Sequence, residues 1–106
     1  MARIAKTSVT VGGEELILSL NFNIMCDIEE HFGKSLSAIF ANEETVGLKT
    51  IRDLIYLTAK KLHKDMTPEK IGDLMEIEEI TDYTEAIVKL IGNFYGEPKN
   101  VKEGEE

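Results

Sequence analysis

Hydrophobic and polar residues alternate along the first twenty positions of the chain. Thr7, Val9 and Val11 precede Gly12-Gly13, and Leu16, Leu18 and Leu20 follow it, the period-two pattern of strands that bury one face. Two consecutive glycines supply the positive φ that a tight turn demands, so residues 5–20 are predicted to form a β-hairpin whose tip is solvated by Glu14-Glu15. Beyond Asn23 the period becomes helical: Ile24, Ile28 and Phe32 fall on one stripe with Met25 beside it. Asn21 or Asn23 can cap the start of this helix and Gly33 suits the left-handed position after its end. Phe22 is expected to join the apolar side and fix the helix to the hairpin. Ser35 can start a short second helix through Leu36, Ile39 and Phe40, and residues 42–47 read as a loop.

Residues 48–64 carry the cleanest amphipathic pattern, with Leu48, Ile51, Ile55, Thr58, Ala59 and Leu62 on one side and Lys49, Arg52, Tyr56, Lys60, His63 and Lys64 opposite. Thr67-Pro68 is a start signal for a short helix through Ile71, Leu74 and Met75. A last helix over residues 77–95 is expected to bury Ile77, Ile80, Thr84, Ile87, Ile91 and Phe94, before Gly96 and Pro98 stop it. The fold class is thus α+β, mainly α: one globular domain over residues 1–96 with four to five helices after the hairpin, and a flexible acidic tail over 97–106.

Composition narrows the classes of function. A chain of 106 residues suits one domain, and no apolar run approaches the length of a membrane span. The N-terminus, with its cations followed by alternating residues, does not read as a secretory signal, and a cytoplasmic location is expected. A net charge of −8 argues against general nucleic-acid affinity. The charge is uneven, however. Residues 27–44 hold five acids against Lys34, whereas residues 49–65 hold five cations against Asp53 and Asp65.

Chemistry-bearing groups are sparse. Asp27 and His31 lie one turn apart, but two ligands do not make a metal site, and the pair reads as part of a solvated helix face. Cys26 diverges from His31 around the helix and is expected to be a buried small residue. No phosphate-binding glycine loop, metal, cofactor or catalytic residue is predicted, and the chain reads as a non-enzyme. The candidate interaction surface is instead the cationic face Lys49, Arg52, Tyr56, Lys60 and Lys64, flanked by Leu54, Leu57, Tyr83 and Leu90 as apolar residues surplus to the core. That face is expected to meet acidic segments, residues 27–44 or 69–85, in homo-oligomers or on a client.

The run Leu20-Asn21-Phe22-Asn23-Ile24-Met25-Cys26-Asp27-Ile28-Glu29-Glu30-His31-Phe32-Gly33 after a hairpin resembles the opening of the tail assembly chaperones of long-tailed phages, prophages and gene transfer agents. The likeness continues through Lys49–Tyr56, which matches that family's second long helix, and through Met66–Leu74, similar to its "L-T-x-E-E-V-G-x-L" turn and helix; His31 departs from the pattern. The resemblance spans residues 9–90 and implies no catalytic residue. It implies a protein that binds the tape measure protein in the cytoplasm of a bacterial host and assists assembly of the tail tube protein. Such a protein is absent from the mature virion, and an extended, frameshifted product is common. The alternatives are a structural virion component, such as a minor tail or head-to-tail connecting protein, an acidic regulator that imitates DNA, and a metal-dependent enzyme.

Overall fold

The computed structural model describes residues 4–41 and 46–95. Strands β1 (Ala5–Val11) and β2 (Glu14–Leu20) form the expected antiparallel hairpin, with Val9 opposite Leu16 and Val11 opposite Glu14. The turn is possible because Gly12 and Gly13 both adopt positive φ, 56° and 87°. Val9, Val11, Leu16, Leu18 and Leu20 point inward and are buried.

Helix α1 (Phe22–Phe32) starts at Asn21, whose side-chain oxygen accepts the Ile24 N–H at 2.9 Å, and ends at Gly33 with φ 71°. Ser35 caps α2 (Leu36–Phe40) in the same manner. The central helix α3 (Leu48–Ala59) packs against β2, α1, α4 and α5, which is why Asp53, Leu54, Ile55, Leu57, Thr58 and Ala59 are all buried. Helix α4 (Pro68–Leu74) is capped by Thr67 with Pro68 in its first turn. A 3₁₀ turn at Ile77–Glu79 leads into α5 (Ile80–Tyr95), which lies chiefly under β1. The hairpin therefore rests on two helices, β2 over α3 and β1 over α5.

Several expectations require correction. Helix α3 ends at Ala59, not at residue 64, so Leu62 is exposed, and Leu48 at the other end is also exposed. The buried stripe of α5 is Tyr83, Ile87 and Leu90, whereas Ile77 lies in the 3₁₀ turn and is 63% exposed. Phe22, at the first turn of α1, points outward at 73% exposure, and Cys26 is exposed. The loop reading is described only at residues 46 and 47; residues 42–45, Gly96, Pro98 and the tail lie outside the described residues. No helix among the described residues is long and apolar enough to cross a membrane.

Candidate functional site

Asp53 sits on the part of α3 that faces α1, and its side chain is only 2% exposed. An isolated buried carboxylate is costly, so its oxygens must be met by donors. Lys49, one turn earlier, donates from Nζ to Oδ2 at 2.9 Å; Arg52 donates from Nε to Oδ1 at 3.0 Å; and the His31 ring, reaching across from α1, bonds Oδ2 at 2.9 Å. Burial, the strongest single influence, pushes the Asp53 carboxyl up, but the bonds from Lys49, His31 and Arg52 together outweigh it and hold it below the usual carboxylate range. A second tie between the same helices joins Lys60 Nζ to Asp27 at 3.2 Å. Because residue 27 meets residue 60 while residue 31 meets residue 53, α1 and α3 run in opposite directions with both charge pairs on one seam.

The cationic face is therefore largely committed within the chain. Lys49 and Arg52 hold Asp53, Lys60 holds Asp27, and Tyr56 is half-buried against the core. Lys64, past the end of α3, remains exposed. Leu54, Leu57, Tyr83 and Leu90 are not surplus at all: each is at most 5% exposed and belongs to the core. Asp27 and His31 do share a face, but each bonds α3 and neither bonds the other. The shallow hollow beside them is lined by Glu30, Leu57 and Lys60 as well, with no hydroxyl or thiol. Among the described residues no three histidine, cysteine or carboxylate groups are placed to hold a metal ion.

A different feature emerges where α3 begins. Leu48, Met75, Ile77 and Ile80 surround a mostly apolar hollow of about 400 Å³, walled on one side by Lys49 and Arg52 and floored by Tyr83. Gly72 abuts that wall closely: a Cβ there would stand 3.2 Å from Arg52 Cδ. The floor is held by a chain of bonds: Tyr83 Oη accepts from Glu76 N–H at 2.8 Å and donates to Glu79 Oε1 at 2.7 Å, and that oxygen also accepts from Gly12 N–H at 3.3 Å. Burial first, and Glu79 second, push the Tyr83 phenol up to about 12, so it is a donor at every physiological pH.

A second apolar area lies at the far end of α5. Tyr95 is shared by two adjoining hollows of about 220 and 180 Å³, one against Phe40, Val88 and Ile91, the other against Phe22, Met25 and Phe94. Phe22, Leu48, Ile77, Val88 and Tyr95 are each more than half exposed, a concentration in two places that isolated surface hydrophobics do not need. Sequence periodicity placed Leu48 and Ile77 in the core and missed both areas. Comparison with protein-family models, with curated proteins and with solved structures found no match to this chain.

Proposed function

We propose that this chain is a non-catalytic protein-binding module, a tail assembly chaperone that holds a helical tape measure protein in the bacterial cytoplasm while tail tube assembly begins. The observation that carries the binding reading is the hollow between Leu48 and Ile77, whose mouth is formed by two large apolar side chains that the core does not use. A hollow of about 400 Å³ accommodates one or two large apolar side chains, the anchor spacing that an amphipathic helix offers every three or four residues. Lys49 and Arg52 on its wall are engaged by Asp53, so the apolar mouth, not charge, carries the attraction. The resemblance of residues 20–33, 49–56 and 66–74 supports the identity of the client.

Co-expression with the tape measure protein of the same genome tests this. The client is expected to become soluble and to co-purify with the chain, and Ile77→Asp is expected to abolish both effects while leaving the fold intact. Continued insolubility of the client, or presence of the chain in purified particles, overturns the chaperone reading; the second result assigns the chain to the virion.

A further inference from the structure

The two edges of the hairpin differ. In an antiparallel pair, residues that exchange both backbone bonds alternate with residues that turn N–H and C=O away from the partner. The two-residue turn makes Val11 and Glu14 a bonded pair, so Val9↔Leu16 and Thr7↔Leu18 are bonded as well. Lys6, Ser8 and Thr10 on β1, and Glu15, Ile17 and Ser19 on β2, therefore direct their backbone groups outward. On β2 a side chain meets one of them: Ile17 N–H donates to His63 Nε2 at 3.0 Å. On β1, no hydrogen bond reaches the outward groups of Lys6, Ser8 or Thr10 among the described residues.

Beside this open edge lies a polar trough of about 340 Å³, walled by residues 7–10 and by a flank of α5 that includes Asp82, Glu85 and Lys89. Glu79 lines it too but is committed to Tyr83 and Gly12. Asp82 and Glu85 are exposed and form no ion pair among the described residues.

We propose that the β1 edge and this trough accept an extended lysine- or arginine-bearing segment of a partner protein, which adds to the hairpin as a third strand. Main-chain bonds to Ser8 and Thr10 supply affinity without sequence preference, and the carboxylates of Asp82 and Glu85 select a basic side chain. Two other occupants fit less well. A second copy pairing through its own β1 would bring its own α5 alongside; strands pair about 4.8 Å apart whereas helices need about 8–10 Å, so the two α5 helices would collide or force the sheets apart. The chain's own residues 97–106 hold four glutamates against two lysines and would set like charge against Asp82 and Glu85. This surface is distinct from the Leu48–Ile77 hollow, and Ile77→Asp is expected to leave it intact.

The test uses the full chain and three capped nonapeptides: one alternating valine with lysine, its glutamate counterpart, and the lysine peptide N-methylated at every backbone nitrogen, so that neither of its edges can donate. By fluorescence anisotropy the lysine peptide is expected to bind about tenfold more tightly than the glutamate peptide, and the N-methylated one not at all. Amide exchange at Ser8 and Thr10 should slow when the lysine peptide binds. Ser8→Pro, at an edge where proline is tolerated, should abolish binding, and Asp82→Lys with Glu85→Lys should reverse the charge preference whether or not the proline variant folds. Equal binding of both charged peptides, binding of the N-methylated peptide, or unchanged exchange at Ser8 and Thr10 overturns the proposal. So does slow exchange there without peptide, which in a dimer assigns the edge to a second copy and in a monomer to the chain itself.

Discussion

At the scale of single residues, Asp53 has the most to lose. Its three donors differ in exposure, with Lys49 mostly in water, His31 intermediate and Arg52 the most covered. Removing a solvated partner costs little because the pair was screened, so Lys49→Ala is expected to destabilise by less than about 1 kcal/mol. Arg52→Ala leaves Oδ1 without a donor and should cost about 2 kcal/mol, measured by urea unfolding at neutral pH. Acid titration offers a second check. The unfolded carboxyl takes up its proton near 3.8 and the folded one only at lower pH. The Asp53 contribution is therefore complete above that value and is lost as pH falls below it toward the folded value. The melting-temperature gap between the wild type and Asp53→Asn should narrow on acidification below 3.8; a constant gap would show that the charge is not what matters. Ser19 presents the opposite case: its hydroxyl is buried with no partner among the described residues. Ser19→Ala removes a desolvated group that bonds nothing and should be neutral or stabilising by up to about 1 kcal/mol.

Among the elements, the hairpin turn is where local and tertiary demands coincide. Gly12 has φ 56°, and a Cβ built on it would stand 2.0 Å from the Leu74 carbonyl oxygen, so the turn and the end of α4 are in backbone contact. Gly12→Ala should therefore cost more than about 3 kcal/mol, combining left-handed strain with a clash that backbone cannot relieve cheaply, whereas Gly13→Ala, with φ 87° and open space around it, should cost only about 1–2 kcal/mol. The same turn is tied to α5 through Tyr83. Since the phenol is pushed up from 10 to about 12, the unfolded chain loses its proton first as pH rises, and stability present below 10 is lost between those values. Tyr83→Phe should start less stable and lose that alkaline transition in a melting-temperature series. What could be read beforehand follows the range of the forces involved. The turn, the caps at Asn21, Ser35 and Thr67, and the stop at Gly33 depend on residues within four positions, and all were legible. The phase of α5 was not, because apolar residues at 80, 83, 86, 87, 88, 90 and 91 surround most of that helix, and only the place of β1 selects Tyr83, Ile87 and Leu90. Asp53 was illegible for a related reason: nothing in its own helix announces that His31 approaches from α1.

Taken as a whole, the molecule meets part of its charge within the chain while leaving some apolar surface uncovered. The acidic run of α1 and the cationic run of α3, which in sequence look like complementary surfaces for oligomers, meet partly inside one chain through Asp27–Lys60, and the same helices are tied in the opposite sense, imidazole on α1 to carboxylate on α3, through His31–Asp53. Their availability to partners is reduced accordingly, and self-association driven by these pairs should be weak. The apolar residues outside the core follow the reverse logic. Leu48 and Ile77 already face water at 58% and 63% exposure, so replacing them removes little buried area, while a partner that covers them gains the full transfer term of roughly 25 cal/mol per Å². Stability and binding should therefore separate cleanly. The double variant Leu48→Asp, Ile77→Asp is expected to unfold in urea within about 1 kcal/mol of the wild type, because surface substitutions away from special features seldom do more. It should nonetheless fail to keep a helical client soluble. Leu54→Ala, taken from the residues that sequence pattern placed on the surface, should behave in the opposite way, since a fully buried leucine reduced to alanine costs about 2–5 kcal/mol. Its binding loss should then track the unfolded fraction and disappear on cooling to a temperature where the variant is fully folded. If the double variant unfolded as readily as Leu54→Ala, the hollow would be part of the core and not a surface held open for a partner.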